Sequence, residues 1–247
     1  MTEGHQIRWT YFVPNTFTAL NMACGFVAII KTWNGEYHEA CLLLLLGSIF
    51  DSVDGRIARF MGAQSSFGEE FDSLSDLVSF GLAPALLFYH RYLSAYGRVG
   101  IAVTFLFALC GALRLARFNI SNDSLPSNFF QGLPIPMGAM ALTGHVLLSL
   151  EFAEMNIFRW SAIPFILIMA ILMVSKLPFC SFKHSDWVKK HKRQFLLIIL
   201  LILVGLFLNE KIAVGSVVML YILGCMGYYV LYRNRLKGIF DGPQDED

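Results

Sequence analysis

The stretch DSVDGRIARFMGAQSSFGEEFDSLSD, residues 51–76, places four aspartates between two long apolar runs. Asp51 and Asp54 are three positions apart and Asp72 and Asp76 are four apart, so in two helices each pair projects from one helix face. A connection of roughly ten residues makes the two helices antiparallel neighbours. The sequence therefore predicts that all four carboxylates meet near the same face of a membrane.

This cluster of aspartates predicts a metal site. An unpartnered charged side chain costs roughly 2.5–3.5 kcal/mol at the centre of a bilayer, so four aspartates at the ends of membrane helices require a cation or a polar pocket. Carboxylate oxygens suit a hard divalent ion such as Mg²⁺, Mn²⁺ or Ca²⁺. A single acidic pair would be weak evidence, because such a pair is more often a buried polar contact than a metal site.

Composition indicates an integral membrane protein. Of the 247 residues, 56% are hydrophobic and only 15% are charged, whereas charged residues make up about 25% of an ordinary soluble domain. The five cysteines are odd in number, widely spaced and close to apolar runs, which argues against both a disulfide framework and a zinc site. The net charge of +1 gives no sign of a nucleic-acid partner.

The apolar runs predict an all-α, polytopic bundle of about eight transmembrane helices. The predicted spans are 14–30, 37–60, 70–90, 98–118, 135–152, 159–175, 194–208 and 212–232. The chain then divides into an interfacial N-terminal segment at 1–13, a catalytic six-helix domain at 14–175, a basic cytoplasmic loop at 176–193, two further membrane helices at 194–232 and a cytoplasmic tail at 233–247.

The distribution of basic residues predicts the orientation of the bundle. With eight spans and a cytoplasmic N-terminus, fourteen lysines and arginines lie on the cytoplasmic side and five on the other. This excess obeys the positive-inside rule. The aspartates are therefore expected to open to the cytoplasm of a multi-pass membrane protein, where nucleotide-activated substrates are made.

Written as a pattern, residues 51–76 read D-x-x-D-G-x-x-A-R-x(8)-G-x-x-x-D-x-x-x-D. This pattern resembles the signature of the CDP-alcohol phosphotransferase family and matches all of its fixed positions, which are Asp51, Asp54, Gly55, Ala58, Arg59, Gly68, Asp72 and Asp76. The resemblance implies an enzyme that moves a substituted phosphate group from a CDP-activated donor to an alcohol and releases CMP. It also implies that the protein lies in a bacterial or archaeal cell membrane and forms a homodimer.

Three further pieces point to the acceptor alcohol. The segments FDSLSDLVSFGLAPA (71–85), ALRLARFN (112–119) and FQGLPIP (130–136) resemble the members of this family that form phosphatidylserine from CDP-diacylglycerol and L-serine. Ser75 departs from the alanine that is commoner in that group. The serine carboxylate needs a cationic partner, and Arg114 and Arg117 are the candidates; the alternatives are membrane anchors or contacts with a lipid phosphate.

The resemblance also implies a role for each aspartate. Asp51, Asp54 and Asp72 would bind a divalent cation, Mg²⁺ or Mn²⁺ with Ca²⁺ as the alternative. Asp76 would contact the metal and also act as the general base that accepts the proton of the serine hydroxyl. Judged from the residues alone, the alternative to a metal site is a cluster of aspartates that are only hydrogen-bonded within the protein.

A second group is implied to bind CDP-diacylglycerol. In the family, a P-N-x-x-T element on the first helix faces the nucleotide, and Pro14, Asn15 and Thr18 match it. Gly55 would let the nucleotide lie against its helix, and Arg59 would contact phosphate. The full set is Asn15, Thr18, Gly55, Ala58, Arg59, Ser65 and Gly68. The alternatives are hydrogen bonds between helices for the polar residues and close helix packing for the glycines.

Other functions fit the sequence less well. A CDP-alcohol phosphotransferase for glycerol 3-phosphate or an inositol compound would be expected to carry more basic residues near the site. Membrane prenyltransferases also use aspartates and Mg²⁺, but their two acidic motifs lie far apart and lack this glycine and arginine spacing. A transporter or channel would be expected to show paired broken helices or repeated halves.

Overall fold

The computed structural model describes residues 9–121, 129–175, 177–180, 204–205 and 207–240. Most of the predicted interfacial segment, most of the basic loop and most of the seventh predicted span lie outside the described residues, as does the end of the tail. The described chain is helical except for its connections and one short ribbon. The helices are α1 Trp9–Trp33, α2 Tyr37–Phe60, α3 Ser66–Asp76, α4 Ala83–Phe88, α5 Gly97–Ser121, α6 Ile135–Glu151, α7 Ile157–Val174 and α8 Glu210–Phe240.

Two short strands form the ribbon, β1 Phe129–Gln131 and β2 Pro178–Cys180. They pair antiparallel with Phe130 opposite Phe179. The sequence indicated only that prolines break regular structure before α6, so this pairing was not predicted. It ties the segment before α6 to the segment that follows α7.

Two helices begin at least four residues earlier than the sequence predicted. The first is already helical at Trp9, five residues before Pro14. The third begins at Ser66 instead of about Glu70, because the Ser65 side chain accepts a hydrogen bond from the Gly68 N–H and caps the first turn. Apolar periodicity gave no sign of this start, since the first turn is polar.

The third membrane helix is composite. After α3 the backbone widens into a π-helical turn at Leu77–Leu82, continues as α4, widens again at Tyr89–Leu93 and ends in a 3₁₀ turn at Ser94–Tyr96. At Gly97, with φ +53°, the chain turns into α5, which packs back along this composite helix. A side chain at Gly100 would meet the Leu93 carbonyl oxygen at 2.2 Å, so the reversal brings the two backbones into close contact.

The core surrounds α6, whose residues are buried along almost its whole length. Large side chains from the composite helix and from α5, among them Phe80, Phe88 and Phe107, are fully buried in the same cluster. Apolar side chains elsewhere point outward, as Phe26 on α1 and Phe105 on α5 do. An apolar exterior of this kind is the expected boundary with lipid.

Four helical stretches in the described part of the chain are long and apolar enough to cross a membrane. They are Phe12–Trp33, Ser66–Ile120, Ile157–Val174 and Glu210–Gly227. The second of them contains the reversal at Gly97 and so holds both the composite helix and α5. The described part of the chain is therefore a helical membrane bundle with one small ribbon.

Candidate active site

Three aspartates from two helices come together at one end of the bundle. Asp51 of α2 and Asp72 and Asp76 of α3 each offer a carboxylate oxygen, and these oxygens lie within 4.8 Å of one another. Asp76 is buried, with 9% of its surface exposed. Because Asp72 and Asp76 are one helical turn apart, a single helix face presents both of them to Asp51.

This donor set fits a divalent cation. The Asp72 Oδ1 atom is buried and has no hydrogen-bond partner among the described residues, so it is a free oxygen donor within the cluster. Three carboxylates at this spacing repel one another unless a cation or a shared proton neutralises them. Hard oxygen ligands of this number are what Mg²⁺ and Mn²⁺ bind in proteins.

Asp54 lies beside this cluster. Its buried carboxylate accepts a 2.9 Å hydrogen bond from the Thr18 hydroxyl on α1 and another from the Gly55 N–H. It lines the same pocket as Asp72. The structure thus brings three of the four predicted metal ligands into one group and places Asp54 at its edge, where α1 holds it.

The pocket next to the aspartates collects every residue expected to bind CDP-diacylglycerol. Its lining includes Asn15, Thr18, Gly55, Ala58, Arg59, Ser65 and Gly68, together with Asp54 and Asp72. Three helices therefore contribute to it, although the residues are spread over more than fifty positions of sequence. Ala63, Gln64 and Glu69 also line the pocket. Sequence reasoning missed these three, and their closeness to Ser65 and Gly68 was the only available signal.

The two glycines of the pocket have different surroundings. A Cβ built at Gly55 would meet only the Arg59 guanidinium, at 3.5 Å, so helix packing does not require glycine there. A Cβ at Gly68 would lie 3.2 Å from the Ser65 hydroxyl and 3.4 Å from the Asn15 Oδ1 atom. Gly55 therefore leaves free space in the pocket, whereas Gly68 lets two polar residues approach the α3 backbone.

Hydrogen bonds to α1 fix the position of α3. The Ser75 hydroxyl donates to the Thr18 carbonyl at 3.0 Å, and the Ser79 hydroxyl donates to the Asn21 carbonyl at 2.9 Å. Asn21, which is fully buried, also directs its amide nitrogen to the Asp76 Oδ1 atom at 3.4 Å. Asn21 was not among the predicted site residues. Its place on the same face of the first span as Asn15 and Thr18 was the signal.

The two candidate arginines have separate surroundings. Arg117 donates hydrogen bonds to the carbonyl oxygens of Val174, Met173 and Ser175 at 3.0, 3.3 and 3.4 Å, and so holds the C-terminal end of α7. Arg114 is buried, its guanidinium lies 5.3 Å from the centre of the Phe118 ring, and the charge of Asp76 acts on it. Sequence spacing alone made the two arginines equivalent.

Comparison with known proteins gives one family match and several similar proteins. Residues 11–176 match the family model described as CDP-alcohol phosphatidyltransferase. A CDP-diacylglycerol–serine O-phosphatidyltransferase of Helicobacter pylori (strain ATCC 700392 / 26695) is 37% identical over 224 residues, which are 90% of this chain and 89% of that protein. The protein of that name from Bacillus subtilis (strain 168) is 36% identical over 70% of this chain and 92% of its own length. An archaetidylserine synthase of Methanothermobacter thermautotrophicus is 36% identical over 68% of this chain and 69% of its own length.

Proposed function

This chain belongs to the CDP-alcohol phosphatidyltransferase family, and we propose that it transfers the phosphatidyl group of CDP-diacylglycerol to L-serine, giving phosphatidylserine and CMP. One observation carries the proposal: the pocket gathers every residue expected to bind the nucleotide and lies directly beside the aspartate cluster. Relatives at 36–37% identity carry this activity or its archaeal counterpart in their names.

Asp51, Asp72 and Asp76 would hold a divalent cation, with Asp54 as the fourth carboxylate. Mg²⁺ or Mn²⁺ suits this donor set, with Ca²⁺ as the alternative. When bound, such a cation neutralises the negative charge of the diphosphate. The support in this structure is the spacing of the carboxylate oxygens and the buried Asp72 oxygen, which has no hydrogen-bond partner in the described part of the chain.

The pocket would bind the cytidine diphosphate portion of the lipid. Arg59, whose side chain is exposed at the pocket, is placed to contact phosphate, since a guanidinium donates several hydrogen bonds to such a group. Asn15, Thr18 and Ser65 supply polar groups, and Gly55 leaves room for the nucleotide against α2. Ala58 and Gly68 line the pocket without long side chains.

Asp76 would act as general base towards the serine hydroxyl. The serine oxygen forms a bond to the β-phosphorus of CDP-diacylglycerol, the bond from that phosphorus to the CMP oxygen breaks, and the hydroxyl proton passes to the Asp76 carboxylate. A serine hydroxyl is a weak nucleophile until its proton leaves, and a positioned base contributes roughly 10²–10⁴-fold. Asn21 supports this role, because its amide orients one carboxylate oxygen of Asp76.

Arg114 is the better candidate for binding the serine carboxylate. It is buried, and the charge of Asp76 acts on its guanidinium, so we expect an acceptor bound to it to lie within reach of the proposed base. Arg117 already donates hydrogen bonds to three carbonyl oxygens at the end of α7. We therefore assign serine binding to Arg114 and a structural role to Arg117.

The proposal extends to the whole protein. About eight spans with a cytoplasmic N-terminus would place the active site at the cytoplasmic face of a bacterial or archaeal membrane, where CDP-diacylglycerol and serine are both available. The excess of basic residues on that side supports this orientation. A homodimer is proposed from the family resemblance alone.

The test is to identify the lipid product. Purified full-length protein is supplied with CDP-diacylglycerol, Mg²⁺ or Mn²⁺, and L-serine, glycerol 3-phosphate or inositol phosphate in turn. We expect phosphatidylserine and CMP with serine, and no lipid product when Asp76 is replaced by alanine. Turnover of glycerol 3-phosphate or inositol phosphate without serine would contradict the choice of acceptor while leaving the family chemistry intact.

A further inference from the structure

A second polar pocket lies at the end of the bundle opposite the aspartates. We call it the arginine pocket and define it by Arg91, Tyr92, Ser149, Asn156 and Arg159. Arg91 and Tyr92 belong to the second π-helical turn, Ser149 lies in the last turn of α6, and the other two residues lie at the start of α7. Fifteen residues of helix separate Arg91 from Asp76, which corresponds to roughly 22 Å. The two pockets are therefore separate sites.

Arg91 is held in place by aromatic rings and a hydroxyl. Its guanidinium carbon lies 5.4 Å from the centre of the Tyr37 ring and 5.9 Å from that of Tyr92, and its Nε atom donates to the Ser149 hydroxyl at 3.4 Å. A guanidinium carries five N–H donors in a planar fork, so most of its donors stay available to a ligand. Such a fixed arginine is suited to planar, bidentate binding of a phosphate.

The charges of the arginine pocket are not balanced by carboxylates. Within the described part of the chain, neither Arg91 nor Arg159 forms an ion pair, and the pocket lining contains no acidic residue. The two described lysines at this end of the bundle differ, because Lys31 pairs with Glu36 and Glu39 and Lys211 pairs with Glu151. The two arginines of the pocket therefore carry positive charge that an anion from outside the chain can neutralise.

The surroundings of the pocket indicate a lipid. Trp160, next to Arg159, is 78% exposed, and Met155 and Ile157 beside the pocket are exposed too. Exposed tryptophan beside apolar and cationic side chains is typical of the layer where membrane head groups lie. A lipid anion bound there would have its charged group in the pocket and its acyl chains along the exposed apolar side of α7, which carries Ile168 and Ile171.

We propose that the arginine pocket binds the phosphate of an anionic membrane phospholipid, as a site distinct from the active site. Arg91 and Arg159 supply the positive charge, and Tyr92, Ser149 and Asn156 supply polar groups around the phosphate oxygens. The site is independent of the transfer reaction, since none of these residues contributes to the aspartate cluster or to its pocket.

The test measures retention of one phospholipid. Delipidated full-length protein in detergent micelles is titrated with phosphatidylglycerol, and bound lipid is counted by native mass spectrometry for the wild type, Arg91→Gln, Arg159→Gln and the control Arg98→Gln. Arg98 is exposed at the same end of the bundle but does not line the pocket. We expect the dissociation constant of one lipid to rise at least about tenfold in both pocket variants, because each loses charge-assisted hydrogen bonds, and to change less than about twofold in the control.

A further variant and a soluble probe distinguish a phospholipid site from a general anion site. Arg91→Lys keeps the charge without the planar fork, so we expect an intermediate affinity. The exposed Arg159 side chain makes Arg159→Gln safe for folding, and serine-dependent CMP release by that variant should match the wild type. Equal lipid binding in wild type and pocket variants would overturn the proposal. Inorganic phosphate that binds as tightly as the lipid would overturn it too, since the site would then serve a soluble anion.

Discussion

The Thr18 hydroxyl on α1 donates a 2.9 Å hydrogen bond to the Asp54 carboxylate on α2. Both side chains are buried, and both line the candidate nucleotide pocket. This bond therefore joins the first helix to the aspartate motif at the point where the substrate is proposed to bind. Packing of α1 against α2 and the shape of the pocket depend on the same contact.

Removing this hydroxyl should weaken substrate binding. Thr18→Val keeps the shape of the side chain but leaves one oxygen of the buried Asp54 carboxylate without its side-chain donor, and hydrogen bonds to charged groups contribute roughly 1.5–3 kcal/mol. We expect the KM for CDP-diacylglycerol to rise at least about tenfold. Thr18→Ser is the matched control, because it keeps the hydroxyl, and its KM should stay close to that of the wild type. Similar KM values for the Val variant and the wild type would mean that the bond does not shape the site.

Replacement of Asp76 should lower turnover, whereas replacement of Asp51 should also weaken substrate and metal binding. Asp76→Asn keeps one coordinating oxygen and loses basicity. We therefore expect this variant to bind CDP-diacylglycerol and metal but to turn over at least about a hundredfold more slowly. Asp51→Asn or Asp54→Asn should weaken metal and nucleotide binding as well. Titration of the nucleotide lipid and measurement of CMP release separate the two cases. Turnover within a few-fold of wild type in Asp76→Asn would rule this residue out as the base.

The two arginines of α5 should separate into one binding residue and one structural residue. Arg114→Ala should raise the KM for serine at least about tenfold and leave that for CDP-diacylglycerol nearly unchanged, because loss of uniform binding affects KM. Arg117→Ala should instead lower the Tm by at least about 3 °C, since three carbonyl oxygens at the end of α7 lose their donor. Thermal unfolding and steady-state kinetics of both variants check this division. A reversed pattern would exchange the two assignments.

Glycine substitutions should distinguish pocket space from helix packing. A Cβ at Gly55 has room in the protein itself, so Gly55→Ala should leave the Tm unchanged and raise the KM for CDP-diacylglycerol roughly tenfold by crowding the nucleotide. At Gly144 a Cβ would lie 2.7 Å from the Gly215 Cα atom. Gly144→Ala should therefore force α6 and α8 apart and lower the Tm. A Gly55→Ala protein with normal KM would show that the nucleotide does not approach α2 there.

Local signals in the sequence were sufficient for much of the fold and for the pocket. The second helix has the predicted bounds of 37–60, because an apolar run and its flanking polar residues mark both ends. Asp51, Asp72 and Asp76 come together as predicted, since helical spacing and a short connection leave few other arrangements. The pocket lining likewise contains every residue that the family resemblance implied for nucleotide binding.

Contacts between distant positions were beyond the reach of the sequence. Arg117 donates to carbonyl oxygens 56 to 58 residues away, and any backbone carbonyl can accept such a bond, so no residue pattern marks the partner. The contact of Asn21 with Asp76 spans 55 positions. The early start of the third helix depends on a serine cap, which apolar periodicity does not detect.

The π-helical turn at Leu77–Leu82 sets the rotational phase of the third helix. A π turn holds one residue more than an α turn, and each residue of an α-helix rotates the face by about 100°. The aspartates before the turn and the core residues after it therefore belong to two different angular registers of one continuous helix. A single deletion in this turn would leave the segment just as apolar and as able to insert into a membrane. It would nevertheless rotate Asp72 and Asp76 away from Asp51, or rotate the buried phenylalanines away from the core. A single deletion could therefore remove the active site without changing the hydropathy profile of the chain.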